Sequence, residues 1–306
     1  MNQPTAGATD APLLEIVIVS AAGGRELLRA CLESINRHPL RAGRSTTWVV
    51  DSASADGTVQ MVDTEFPWVK LVALPTNRGF CVANNIVLRQ ATGPYVLLLN
   101  PDTELSSGAL DGALRTLQAH ADAAVVGVRL VRSDGAFDHA AKRSFPTLVG
   151  AMAHFSGLGR LAESGPLAQY RQPDLDEHAQ GEVDAVTGAF MLLRRSAMIE
   201  VGLLDEAYGM YGEDLDWCYR FKAAGWKVLY DGSTTVLHVK GGTSISEHGR
   251  ARHRKLVTNI AFHRAMGRFY RKHHSGSNAL VDMLVYLALG LKFVVSATRS
   301  ASRGVR

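Results

Sequence analysis

Cysteine is scarce in this chain. Its 306 residues include three, Cys31, Cys81 and Cys218, far apart and without CxxC spacing. That argues against a disulfide framework or a structural zinc site and fits a reducing cytosol. Long apolar runs are missing too. The most apolar stretch, NALVDMLVYLALGLKFVVSA, is interrupted by Asp282 and Lys292, and its longest uncharged run, Met283 to Leu291, is too short to cross a bilayer. Residues 1–12, MNQPTAGATDAP, have neither the cationic start nor the apolar stretch of a signal peptide and read as a disordered polar tail. There is no GxGxxG, no internal repeat, no low-complexity segment and no recognised nucleic-acid-binding motif, so no nucleic-acid partner is expected.

Acidic residues are nearly absent from one end. Between Gly249 and Arg306, 12 Lys and Arg accompany a single acid, Asp282, a local charge of +11; with +4 overall, the remainder carries −7. An acidic body followed by a basic tail suits an anionic surface or polymer as neighbour, although solvated helices also carry such charge. Residues 250–274 form a basic helical pattern interleaved with Ile260, Phe262, Phe269 and Tyr270. The tail therefore reads as helices that pack on the body, dimerise, or lie on an anionic membrane.

What is present in the first half is alternation. LLEIVIVSA (13–21), TTWVVDSAS (46–54), VKLVALP (69–75) and YVLLLN (95–100) read as buried strands. Helical patterns fall between them at 25–38, 57–66 and 81–92; the first places Leu27, Leu28, Cys31, Leu32 and Ile35 on one face. Continuous apolar strands separated by helices imply an α/β fold with a mostly parallel sheet covered on both faces. Such sheets bind ligands at the carboxyl ends of their strands, where Asp51 and Asp102 lie. Beyond Ser106 a helix (108–122) and a strand at AAVVGVRLV precede a stretch, about 135–180, without a clear period. EVDAVTGAFMLLRRSAM (182–198) reads as strand then helix, GEDLDWCYRFKAAG (212–225) as a helix, and WKVLYDGSTTVLHVKGG as strand, turn and strand.

Four places carry residues suited to chemistry. Asp51 opens DSASADGT at a strand end, where an acid accepts from a ribose or base, or caps a turn. Asn100 and Asp102 flank Pro101, which stiffens the loop; this is either a type I turn or an oxygen ligand for Mg²⁺ or Mn²⁺. Asp214 shares a helical stripe with Trp217, Cys218 and Phe221, so its carboxylate faces inward and needs a partner or a role, such as general base; helix-dipole preference alone also favours Glu213 and Asp214 there. His238 shares a strand face with Val236 and Lys240, a setting in which a histidine is a core residue or a ligand.

VVDSASADGT, NRGFCVANN, YVLLLNPDTEL, VTGAFMLLRR, GLLDEAYGMYGEDLDWCYRFKAAGWKVLY and HVKGGTS follow one another as in family 2 glycosyltransferases, and about residues 13–273 resemble the bacterial rhamnosyltransferase-like branch. The resemblance implies a GT-A fold: a Rossmann-like nucleotide-sugar half (13–105) fused to an acceptor half (106–245), with a helical extension over 246–306. It implies an inverting, metal-dependent hexosyl transfer from a nucleotide-sugar, best matched by dTDP-L-rhamnose, with UDP-galactofuranose and other UDP- or GDP-sugars as alternatives. The acceptor would be a glycan, free or polyprenyl-linked, in cell-surface polysaccharide synthesis. Ser20, Asp51, Arg78, Gly79, Asn84, Asn100 and Asp102 would hold the donor. Asp102 and His238 would hold Mg²⁺ or Mn²⁺, Asp214 would be the base, and Glu213, Asp216 and Trp217 would line the acceptor side. The implied location is the cytoplasm, peripheral to the inner membrane.

Two departures bear on this, the second of them common in the branch itself. Ala21 and Ala22 stand where relatives carry an aromatic and an amide that frame the nucleotide, and Asn100 replaces the first acid of the DxD-type motif. Rival readings are a nicotinamide-dependent Rossmann oxidoreductase, which leaves Asp102 and Asp214 unexplained, and an inactive glycan-binding relative.

Overall fold

A computed structural model describes residues 11–145, 175–209, 211–239, 250–276 and 278–302, without the side chains of 250–257 and 294–302. Most of the N-terminal tail and of the aperiodic 135–180 stretch, together with the glycines after His238, lies outside these residues. The expected alternation is found as β1 (Leu14–Ser20), α1 (Arg25–Arg37), β2 (Ser45–Ser52), α2 (Thr58–Glu65), β3 (Lys70–Leu74), α3 (Phe80–Leu88) and β4 (Tyr95–Leu99). Then follow β5 (Thr103–Leu105), α4 (Ala109–Ala119), β6 (Ala123–Val131), β7 (Lys142–Arg143), β8 (Gln180–Val183), β9 (Ala185–Val186) and β10 (Phe190–Arg194). The described chain ends with α5 (Arg195–Val201), α6 (Glu213–Ala223), β11 (Lys227–His238), α7 (Arg250–His273) and α8 (Ala279–Ser302).

A nine-stranded sheet has the order β3-β2-β1-β4-β10-β6-β11-β5, with β8 also on β11. Its first four strands are parallel, as their unbroken apolar runs require: Ile16, Val17 and Ile18 of β1 are fully buried. α1 packs on β5 and buries Leu28, Cys31, Leu32 and Ile35 in the core, each large aliphatic side chain contributing roughly 1.5–3 kcal/mol by burial. The second half is mixed. β10 runs antiparallel to both β4 and β6, and β11 is parallel to β6. The carboxyl ends of β1, β2, β4 and β11 therefore share one edge of the sheet with the start of β10.

One expectation is corrected. The segment read as strand, turn and strand is a single 12-residue strand, β11, carrying an irregularity between Asp231 and Thr235. The Asp231 carboxylate accepts from the Ser233 amide (3.0 Å), the Ser233 hydroxyl (2.6 Å) and the Thr234 hydroxyl (2.8 Å). The polar residues that looked like a turn are satisfied inside a bulge, and the strand keeps its direction. This matters for the site, because β5 pairs antiparallel with the end of β11 and sets His238 opposite Thr103.

The two C-terminal helices form a hairpin. Asp282, which interrupts the apolar run, ties it: the Tyr270 hydroxyl donates to Oδ1 (2.6 Å) and the Gly276 amide to Oδ2 (2.9 Å). α7 is part of the body, since Ala265 and Phe269 belong to the main core. Among the described residues no helix is long and apolar enough to cross a membrane.

Candidate active site

At the ends of β1 and β2, Ser20 pairs in register with Asp51 and both are buried. Asp51 Oδ2 accepts from the Ser54 amide (2.9 Å) across Ala53, whose φ of +58° is strained for a residue with a Cβ. Asp51 Oδ1 and the hydroxyls of Ser20, Ser52 and Ser54 are buried without a hydrogen-bond partner. Four such orphans at one sheet edge form a polar cradle awaiting donors and acceptors from a ligand. The adjoining loop is pinned by Asp56, which accepts from the Gly23 amide (2.7 Å). Burial raises the Asp56 pKa, but the Thr58 hydroxyl and the Gly23 amide outweigh it and hold the carboxyl below its usual range.

Asn100-Pro101-Asp102-Thr103 is a turn closed by the Thr103 amide donating to the Asn100 carbonyl (3.2 Å). The turn and ligand readings of Asp102 are compatible, because the turn is what fixes the acid. The β5–β11 pairing then brings Asp102 to His238: the Val239 amide donates to the Asp102 carbonyl (2.8 Å), and His238 Nε2 lies 3.5 Å from Asp102 Oδ1. His238 Nδ1 is 2.9 Å from Asp138 Oδ2. Burial disfavours the charged ring, yet Asp102 and Asp138 prevail and raise the His238 pKa to about 9. A carboxylate and an imidazole at this separation, the imidazole anchored through its other nitrogen by a second carboxylate, suit a divalent cation completed by diphosphate and water. No cluster of three potential metal ligands occurs among the described residues.

The N-terminus of α6 supplies the remaining acids. Asp214 Oδ2 accepts from Arg143 Nη2 (2.6 Å) and the Gly188 amide (3.2 Å), and Oδ1 from the Leu215 amide (2.7 Å). Arg143 reaches it because β7 pairs with β9 just before the 187–189 turn. Beside it, burial and then the Asp214 charge push the Glu213 pKa up to about 7, and Glu213 Oε2 is buried without a partner. The helix starts at Gly212, whose φ of +82° favours glycine and whose added Cβ would lie 3.2 Å from Ala265 Cβ.

The family model described as Glycosyl transferase family 2 matches residues 16–202. The chain belongs to that family. The N-acetylglucosaminyl-diphospho-decaprenol L-rhamnosyltransferase of Mycobacterium tuberculosis is 30% identical over 266 residues, 81% of this chain and 84% of that protein. The structure of GalNAc-T7 with UDP, GalNAc and Mn²⁺ aligns with TM-score 0.59 at 14% identity, over 86% of this chain and 48% of that one. S. aureus TarS 1-349 with UDP-GlcNAc gives 0.58 at 17% identity, over 96% and 76%. These likenesses establish the GT-A fold, and membership of the family sets aside the nicotinamide-oxidoreductase reading.

Within this glycosyltransferase the residues singled out from sequence fall into two groups. Ser20, Asp51, Asn100, Asp102, Glu213, Asp214 and His238 lie at the common sheet edge. Gly79 is there too, with φ +80° and its amide donating to Asn77 Oδ1 (2.9 Å), while Arg78 is exposed beside it. Asn84 is buried and donates to the Phe80 carbonyl (3.0 Å) inside α3. Asp216 and Trp217 do not fit the acceptor-side expectation. Asp216 is fully buried among Arg220, Lys272, His273 and Tyr208, and Trp217 is fully buried with Nε1 donating to the Gly202 carbonyl (2.8 Å). Both hold α6 to its neighbours. Asp138 and Arg143 escaped the sequence reading; FDHAAKR, dense in ionisable residues within an otherwise aperiodic stretch, was the available signal.

Proposed function

We propose that the enzyme transfers L-rhamnose from dTDP-L-rhamnose, with inversion, to a glycan carried on a polyprenyl diphosphate in cell-surface polysaccharide synthesis. The observation that carries the reading is the convergence at one sheet edge of the orphaned Ser20 and Asp51 oxygens, the Asp102–His238 pair and the inward Asp214. The activity of the mycobacterial relative supports both sugar and acceptor. Residues 13–105 serve as donor half and 106–245 as acceptor half, completed by the helical extension.

Ser20 and Asp51 take the nucleoside, with Arg78, Gly79, Asn84 and Asn100 along its border. Asp102 and His238 hold Mg²⁺ or Mn²⁺, which when bound would offset charge on the departing diphosphate. A sugar hydroxyl is a poor nucleophile, so Asp214 accepts its proton as it attacks the anomeric carbon on the face opposite the diphosphate. Arg143 and the Gly188 amide fix Oδ2, leaving Oδ1 with a single backbone donor and acceptor capacity to spare. Glu213, whose pKa burial and the Asp214 charge raise, has an unused oxygen for a substrate hydroxyl.

The three buried free thiols support a cytoplasmic placement. Leu280, Met283, Leu284, Leu287 and Leu291 make an exposed apolar stripe on α8. Next to the basic α7 this stripe suits a peripheral seat on the anionic inner membrane, with a second copy as the other occupant to test. The donor assignment is tested by thermal shift with dTDP, UDP, GDP and NAD, each with Mg²⁺, Mn²⁺ or EDTA. A metal-dependent rise with dTDP is expected; a rise with NAD alone, or with UDP or GDP but not dTDP, overturns it.

A further inference from the structure

Behind the acids of α6, a groove of about 650 Å³ runs between the body and the C-terminal hairpin. Three arginines of α7 line it, Arg264, Arg268 and Arg271, at i, i+4 and i+7 and so on one helical face. None of the three guanidinium groups forms an ion pair with a described residue, and the neighbouring carboxylate of Asp205 is taken by Lys272 at 2.7 Å. Arg268 sits 5.7 Å from the Tyr208 ring centroid, a contact that orients it without neutralising it. Arg268 also feels the Asp205 charge that Lys272 holds, so the three cations facing one cavity are offset only in part, and an anion between them relieves the remaining repulsion.

The position of the groove narrows the anion. One end abuts the N-terminus of α6, on the face of Gly212 and Asp216, because Ala265 in its wall is the residue that a Cβ on Gly212 would meet. Tyr211 at this junction holds φ +68°, a strained value for a side chain of its size, and packs edge-on to Phe262. The other end reaches Tyr286, which is 42% exposed and borders the apolar stripe of α8. Charge in the middle, the start of the acid-bearing helix α6 at one end and exposed apolar surface at the other suit a ligand with a sugar, a diphosphate and a hydrocarbon tail, in that order.

We propose that the Arg264–Arg268–Arg271 groove binds the diphosphate of the lipid-linked acceptor, with the sugar entering toward α6 and the tail leaving along α8. This rests on the lipid-linked acceptor reading above and gives that acceptor a site. Arginine suits the role, since its planar fork binds phosphate oxygens in pairs.

The test uses the full chain with saturating dTDP, so that the donor diphosphate site is filled, and measures binding of farnesyl diphosphate, farnesol and inorganic diphosphate. Farnesyl diphosphate is expected to bind best. Arg264→Gln/Arg268→Gln is expected to weaken it at least about tenfold, the scale of one lost charge-assisted hydrogen bond, at an unchanged unfolding midpoint. If the double variant unfolds, the exposed Arg271→Gln serves instead, with a weakening of about threefold for partial loss of such a contact. Unchanged affinity in the variants, farnesol binding as tightly as its diphosphate, or inorganic diphosphate binding as tightly as the lipid each overturns the proposal. Binding of dTDP alone is measured in parallel. If dTDP fails to bind while the arginine variants still lose farnesyl diphosphate, the donor reading falls and the groove stands; the reverse removes the groove alone.

Discussion

Replacing Asp216 by Asn separates its structural role from an acceptor-side one. Its side chain is fully buried, and its oxygens lie 2.8 Å from Arg220 Nε, 2.8 Å from Lys272 Nζ and 2.8 Å from His273 Nε2. Asn keeps the shape but removes the charge and turns one acceptor into a donor facing cations. Breaking one side of a buried ion pair costs roughly 3–5 kcal/mol. The Arg220 and Lys272 side chains retain 19% and 32% of their exposure and rehydrate in part, which places the loss near the lower end, about 3 kcal/mol. That is about a hundredfold in the folding equilibrium and a fall in Tm of about 5 °C. Urea unfolding read by tryptophan fluorescence measures it, with Trp217 as a fully buried reporter one residue away. The pH dependence adds a signature. Burial raises the Asp216 pKa, but Lys272, His273 and Arg220 outweigh it and hold it below 3.8. A carboxylate held low stabilises above its unfolded value and loses that contribution as pH falls through its folded value, so parent and variant converge only in strong acid. A variant within about 0.5 kcal/mol of the parent, the scale of an ordinary surface substitution, that uses acceptor poorly would refute the clamp and restore Asp216 to the acceptor side.

Two further predictions concern the metal pair and the apolar stripe. Asp138→Asn is expected to weaken Mn²⁺ binding by about 10–100-fold, since it removes the anchor of His238 Nδ1; unchanged affinity in a calorimetric titration would count against His238 as a ligand. In the metal-free protein the elevated His238 pKa contributes stability that is complete below 6.5 and lost as pH rises through about 9, and the apparent Mn²⁺ affinity should climb across that interval as the competing proton leaves. Leu284→Glu/Leu287→Glu is expected to abolish sedimentation with anionic liposomes at low salt. Persistent sedimentation, or a dimer that the variant dissolves, would show that the stripe serves something other than a membrane.

The parallel half was legible in the sequence because its inner strands β1 and β4 are buried on both faces and α1 shows one apolar stripe, while the edge strand β3 keeps an apolar run at half burial. The second half was harder for specific reasons. The polar triplet after Asp231 looks like a turn until its bulge hydrogen bonds are seen. Asp102 and His238 are remote in sequence and meet only through the β5–β11 register, which local periodicity does not encode. Asp138 and Arg143 act from an aperiodic stretch whose strand, β7, is two residues long. The case of α6 is the most instructive. Its stripe through Asp214, Trp217, Cys218 and Phe221 is the inward face, but α7 covers the opposite face, so Asp216 and Arg220 are polar residues held at a packed helix contact. A one-faced reading of a helix fails wherever a second element arrives from far along the chain.

On the function proposed above, Asp214 is the base for metal-assisted rhamnosyl transfer from dTDP-L-rhamnose. The direct measurement is dTDP release and sugar transfer to a polyprenyl-diphosphate-linked N-acetylglucosamine, with Mg²⁺ or Mn²⁺, by the full chain and by Asp214→Asn. Transfer by the parent is expected, falling by at least about a hundredfold in the variant, the usual scale of general-base loss, with dTDP affinity retained. Equal rates in the two proteins, or no transfer by a parent that binds dTDP and the acceptor, would contradict it.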